Sequence, residues 1–206
     1  MINCHKPNYY ECYAKVVLEE LYPKEFVNLQ LKDKPDLQMK DGEYGVEVTN
    51  SVDEKQLNSE GLYTKILNNT ARNKKGALEE IKRCGCKLDG GILSGKPGTD
   101  SFGLVLSHFD DKLNKLNKDY ICFKRNCLFI FSDIHADDKM IMEALQKMQQ
   151  RQIKKERQFN EAFVLVPGYC YRLNLDIGSY ERYPIESNLQ VAQAIKAHEF
   201  VEKHKK

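Results

Sequence analysis

Two short stretches of this 206-residue chain place carboxylates where they could do chemistry together: Asp33-Lys34-Pro35-Asp36-Leu37-Gln38 and Gly45-Val46-Glu47-Val48-Thr49. Between them lies Asp41-Gly42, a dipeptide that favours a tight hairpin turn. Side chains alternate along a strand. Leu37 and Met39 therefore face one way and Asp36, Gln38 and Lys40 the other, while Val46 and Val48 oppose Glu47 and Thr49. A hairpin of this length brings Asp36 and Glu47 together on adjacent strands. Paired carboxylates repel unless a cation lies between them, and oxygen ligands of this kind suit Mg²⁺ or Mn²⁺. Such a cation can activate water and stabilise a phosphoryl transition state. The same pattern also describes a hairpin whose polar face is simply solvated.

Pro35-Asp36, a spacer, and then Glu47-Val48-Thr49 on the following strand resembles the PD-(D/E)xK nuclease superfamily of restriction endonucleases and Holliday-junction resolvases. The motif resemblance runs from about Tyr9 to Leu67, and the remainder of the chain matches by order of elements. The resemblance implies a restriction-endonuclease-like core and metal-dependent hydrolysis of nucleic-acid phosphodiester bonds. It implies Mg²⁺ or Mn²⁺ as cofactor and a nucleic-acid partner, DNA before RNA, with a homodimer as a common assembly. By resemblance, Asp36 and Glu47 are metal ligands, the Val48 carbonyl adds a third, and the first helix supplies a glutamate, Glu11 ahead of Glu20. The family's lysine position holds Thr49, which can donate a hydrogen bond but carries no charge. Orientation of the attacking water then falls to Thr49 or Gln38, or to a lysine from elsewhere, namely Lys40, Lys55 or Lys65. The alternative is a catalytically degenerate module on the same scaffold that binds nucleic acid or protein.

Other signals point less firmly to chemistry. Gly90, Gly95 and Lys96 have P-loop spacing, but Pro97 stands where a metal-binding Ser or Thr is needed, so a Gly/Pro loop is expected. Cys84, Cys86, Cys122 and Cys127 lack zinc-knuckle spacing and read as free thiols. Asp133 or Asp137 suits a helix cap. His108, His198 and His204 read as helix-surface residues. Basic clusters at Arg72–Lys75, Lys82–Arg83, Lys112–Lys118, Lys124–Arg125 and Arg151–Arg157 are either solvated helix faces or phosphate contacts. Tyr120, Phe123 and Tyr169–Tyr171 could stack bases beside them.

The elements that must position these residues follow from periodicity. Tyr10, Ala14, Val17 and Leu21 form one face of a helix over 9–21, which Pro23 ends. Strands are expected over 26–31, 35–39 and 44–49. A helical stretch over 53–84 should break near Gly76, and a Gly-rich loop should cover 89–99. A helix over 102–118 precedes a buried strand over 127–132. A long helix over 137–159, a buried strand over 162–166, an edge strand over 169–175 and a helix over 186–203 complete the chain. Alternation of strands and helices predicts one α/β domain over residues 1–206, a mixed β-sheet flanked by helices.

Composition sets the outer bounds. Apolar residues are 41% and charged residues 30%, which suits a folded domain rather than a disordered chain. Lys plus Arg is 32 against 30 for Asp plus Glu, which excludes a histone-like basic coat but not a local basic groove. No apolar run is long enough to span a membrane. The first residues lack a secretory h-region, and seven cysteines without a framework spacing suit reduced thiols, so a cytoplasmic location is expected.

Overall fold

A computed structural model describes residues 8–89, 92–94, 102–118 and 120–203. Helix α1 (Tyr9–Leu21) starts at Asn8, whose side chain accepts from the Glu11 N–H while the Glu11 carboxylate accepts from the Asn8 N–H. This reciprocal box satisfies two donors that the first turn leaves open. Strands β1 (Gln30–Leu31), β2 (Leu37–Gln38) and β3 (Tyr44–Asn50) follow, then α2 (Glu54–Leu67) and α3 (Lys74–Arg83). A small hairpin of β4 (Lys87–Asp89) and β5 (Ile92–Ser94) leads to α4 (Gly103–Leu116). The chain continues through β6 (Arg125–Phe131), α5 (Asp138–Gln152), β7 (Glu161–Val166), β8 (Tyr169–Asn174), β9 (Ser179–Pro184) and α6 (Ser187–Lys203).

Seven strands form one mixed sheet in the order β1-β2-β3-β6-β7-β8-β9. β3, β6 and β7 run parallel, and the outer pairs are antiparallel. Helices cover both faces of the centre, which is why β6 and β7 read as unbroken apolar runs. On one face, Val46, Val48, Cys127, Phe129 and Phe131 pack with Ala14, Val17 and Leu18 of α1. On the other, Leu128, Ile130, Ala162 and Val164 pack against Val105, Phe109 and Leu113 of α4 and Ile141, Leu145 and Met148 of α5. Ile66, Ala77, Ile81 and Cys86, with Leu62, Leu78, Leu88 and Leu93 around them, form a third cluster built from α2, α3, β4 and β5.

Several expectations shift. The strand over 26–31 shrinks to Gln30–Leu31, because Asn28 adopts a left-handed backbone (φ 56°) that a strand cannot hold. Phe26 and Leu29 are buried as loop residues instead. The strand over 35–39 shrinks to Leu37–Gln38, and at Asp36 the side chain rather than the backbone meets the Val48 N–H. The helical stretch over 53–84 breaks at 68–73 rather than at Gly76. Asn69 is left-handed there, and the Asn73 side chain caps α3 by accepting from the Gly76 N–H. A β-hairpin occupies part of the expected 89–99 loop, while Gly90, Gly95, Lys96 and Pro97 lie outside the described residues. Helix α5 stops at Gln152, whose side chain bonds the Phe159 backbone. The strand at 169–174 is not at the edge, since β9 pairs outside it. Asp137 caps α5 by accepting from the Met140 N–H. No helix among the described residues is long and apolar enough to cross a membrane.

Candidate functional site

The hairpin of β2 and β3 holds both carboxylates. Leu37 pairs with Val46 and Gln38 with Gly45, and the Asp41-Gly42 turn closes with Gly42 at φ 75°. β2 ends early, so the edge of β3 beyond Val46 lacks a ladder partner on that side. The Asp36 side chain fills the gap: its Oδ2 accepts from the Val48 N–H at 2.8 Å. The N–H and C=O of one strand residue point to the same edge, so the Val48 carbonyl faces the Asp36 side as well.

Glu47 and Thr49 pair in register with Leu128 and Ile130 of β6 and so face α4. Glu47 is 3% exposed, which excludes a solvated hairpin face. Its Oε1 accepts from Lys112 Nζ and from the Tyr120 hydroxyl, both at 2.5 Å. Its Oε2 is buried and has no hydrogen-bond partner. Thr49 Oγ1 lies 3.2 Å from His108 Nδ1. His108 and Lys112 stand one helical turn apart on α4 and therefore reach the same side of β3. Tyr120 is held in turn by Arg157, whose guanidinium donates to the Leu116 and Tyr120 carbonyls. Gly45 lets the surrounding loops close in, because a Cβ there would meet the Phe123 ring and would lie 2.9 Å from Pro35 Cγ.

Burial and the Glu47 charge push the Asp36 carboxyl up to about 7 from an ordinary value of 3.8, and Glu11 adds to the rise. The Val48 N–H and Lys112 pull in the opposite direction. Burial and the bond to Glu47 raise the Tyr120 hydroxyl, keeping it a donor at any ordinary pH.

The residues expected at the site separate into two groups. Asp36, Glu47, Val48 and Thr49 come together. Glu11 is buried on α1, its carboxylate engaged with Asn8 and its charge felt by Asp36, whereas Glu20 bonds Gln193 and Lys196 of α6. Gln38 is turned to the loop, its amide donating to the Pro35 and Asp33 carbonyls, so it holds the approach to Asp36 rather than a water. Lys40, Lys55 and Lys65 are exposed, and none of them meets Glu47. The cation at the site is Lys112, and His108 is part of the same cluster rather than a surface residue. Tyr120 and Tyr171 are buried and cannot stack bases.

The helical pattern held a signal for Lys112. Val105, Phe109, Lys112 and Leu116 follow the i, i+4, i+7, i+11 spacing of one face. A lysine in that register must point at the sheet and needs an anion there.

Two carboxylates, one carrying an unpartnered buried oxygen, together with a nearby carbonyl, make an all-oxygen donor set compatible with Mg²⁺ or Mn²⁺. Among the described residues no group of three or more His, Cys, Asp or Glu side chains converges as metal ligands. A cation at this site would therefore rely on Asp36, Glu47 and the Val48 carbonyl, with water completing its shell.

Several arginines are engaged by the chain's own carboxylates and carbonyls. Glu161 of β7 is buried between Arg125 and Arg172, and Arg172 also pairs with Glu25 at 2.6 Å. Arg151 bonds Asp110 and the Leu106 carbonyl. Comparison with protein-family models, with curated proteins and with solved structures found no match to this chain.

Proposed function

We propose that the chain is a metal-dependent nuclease on a restriction-endonuclease-like core, hydrolysing nucleic-acid phosphodiester bonds at the Asp36–Glu47 pair, with DNA preferred over RNA. The observation that carries the reading is the approach of Lys112 from α4 to Glu47, which returns to the site the positive charge that Thr49 lacks. Further support comes from the unpartnered Glu47 Oε2 and from the burial and neighbouring Glu47 charge that raise Asp36. Mg²⁺ or Mn²⁺ bound by Asp36, Glu47 and the Val48 carbonyl would supply positive charge at the phosphate and acidify a water nucleophile.

The chain's own groups do the positioning. Lys112 holds a fixed ammonium beside the carboxylates, where it can meet a phosphate oxygen as negative charge grows in the transition state. The Thr49 hydroxyl, placed by His108, supplies a hydrogen bond for the incoming water. Tyr120 and Lys112 both hold Glu47 through Oε1, which leaves the buried Oε2 without a protein partner.

A cleavage assay with Mg²⁺ and Mn²⁺ on labelled single- and double-stranded DNA and RNA tests the reading. Cleavage that needs metal and is lost in Asp36→Ala, Glu47→Ala and Lys112→Met is the expected result. A wild type that binds nucleic acid equally well with and without metal, and never cuts, returns the chain to the binding-module alternative.

A further inference from the structure

The segment from α2 through β5 joins the two elements that carry the candidate site. It leaves β3 just after Asn50 and returns to α4, which bears His108 and Lys112. It does not borrow its core from the sheet: Ile66, Ala77, Ile81 and Cys86 form a cluster within the segment. Helix α2 has 14 residues and so extends about 21 Å. The turn at its far end, residues 68–73, joins α2 to α3 within this separately packed arm.

The arm's charge is distinct from that of the rest. Residues 54–94 hold eight Lys and Arg against five Asp and Glu, a surplus larger than the net +2 of the whole chain. The remainder is therefore slightly acidic, and the positive surplus of the molecule lies on this arm. Arg72, Lys74 and Lys75 at the turn are all exposed, as are Lys65 and Lys82. Among the described residues, none of these five has an acidic partner within salt-bridge distance, whereas Arg83 beside them pairs with Glu80 at 2.7 Å. This contrasts with Lys112, Arg125, Arg151 and Arg172, each neutralised by a carboxylate. Unpaired cations clustered at one turn repel each other, and a polyanion of matching spacing relieves that repulsion.

We infer that the α2–α3 arm is a backbone grip, in which Arg72, Lys74 and Lys75 contact the phosphates of a nucleic acid whose scissile bond lies at the Asp36–Glu47 pair. The inference rests on the nuclease reading and names the element that holds its substrate. The contact is to phosphates alone, so it contributes affinity and register but no base preference. Each neutralised phosphate releases counterions, so the contact leaves its mark in the salt dependence of binding.

The test is fluorescence-anisotropy binding of a labelled 24-base-pair duplex DNA to the full chain in EDTA, over a series of salt concentrations, followed by the cleavage assay. The triple variant Arg72→Gln/Lys74→Gln/Lys75→Gln should bind at least about tenfold more weakly, and its log–log salt slope should fall by about 2 to 3. A control that removes three exposed lysines of α5 and its C-terminal end, Lys139→Gln/Lys147→Gln/Lys154→Gln, should keep the wild-type slope. Arg72→Lys/Lys74→Arg/Lys75→Arg keeps the charge and should keep both slope and affinity. Wild-type affinity and slope in the triple variant overturn the inference while leaving the catalytic reading intact. An equal loss in the control, or in the charge-retaining variant, also overturns it. A wild type that neither binds nor cuts removes the nuclease reading, and the inference falls with it.

Discussion

Lys112 Nζ lies 2.5 Å from Glu47 Oε1, across 65 residues of sequence, and so ties α4 to the central sheet through a buried ion pair. The side chains are 16% and 4% exposed, so water screens the pair weakly. Removing one partner from such a pair leaves the other charge buried and uncompensated, which costs more than the pair contributes. Lys112→Met should therefore destabilise the fold by about 3–5 kcal/mol, read as a lower urea midpoint. Lys112→Met combined with Glu47→Gln should recover most of that loss, because the amide needs no counterion. A double variant as unstable as the single one would show that Lys112 acts through packing rather than charge.

The same burial gives Asp36 a pH signature. Its folded pKa of about 7 lies above the ordinary value of 3.8. Between those values the folded chain holds a proton that the unfolded chain releases, so stability falls as pH rises through this window and levels off above it. Asp36→Asn has no such proton, and its amide oxygen can still accept from the Val48 N–H. Relative to wild type, the variant should gain stability on the order of a few kcal/mol between pH 4 and pH 8. Urea curves at pH 4, 6 and 8 would measure it. Parallel pH profiles for the two proteins would mean that Asp36 is not held protonated by its surroundings.

Period-two alternation correctly separated Val46 and Val48 from Glu47 and Thr49, and the helix register of 9–21 was plain. The sequence does not say what covers a strand's polar face. That depends on how α4 docks more than fifty residues later, so alternation alone does not decide whether Glu47 is buried or exposed. Local spacing points to Lys40, Lys55 and Lys65, because spacing near the motif is what a sequence displays. Lys112 arrives through tertiary packing. The strand at Gln30–Leu31 is shorter than its pattern suggests, because left-handed Asn28 carries no distinctive signal. The one trace of the Lys112 contact in the sequence is that Lys112 shares the core-facing register of Val105, Phe109 and Leu116.

Gly45 tests whether the two loops flanking the site must approach so closely. An added Cβ would meet the Phe123 ring and would lie 2.9 Å from Pro35 Cγ. Phe123 lies in the loop that carries Tyr120, and Pro35 precedes Asp36, so a shift of either backbone would bear on a site residue. Gly45→Ala should cost about 1–3 kcal/mol of stability through overpacking. It should also lower cleavage more than that stability loss explains, when both are measured below the unfolding transition. Unchanged stability would mean that the loops yield freely and do not fix the carboxylates.

A cation shared by Asp36 and Glu47 must compete with the proton that Asp36 retains up to about pH 7. Metal binding to carboxylates requires their ionised form, so it should strengthen as pH rises through that value. A ligand that binds the folded chain alone stabilises it by about 2.7 kcal/mol at a concentration 100 times its Kd. For a chain of this size each kcal/mol is worth about 2–4 °C in Tm. Mn²⁺ should therefore raise Tm by about 5–10 °C at pH 8, by much less at pH 5.5, and by little at either pH in Asp36→Asn. The pH contrast separates this site from surface carboxylates, which are ionised at both values and would give the same shift twice. An equal shift in wild type and Asp36→Asn would place the ion elsewhere on the protein. No shift at pH 8 would leave the two carboxylates as a structural pair balanced by Lys112.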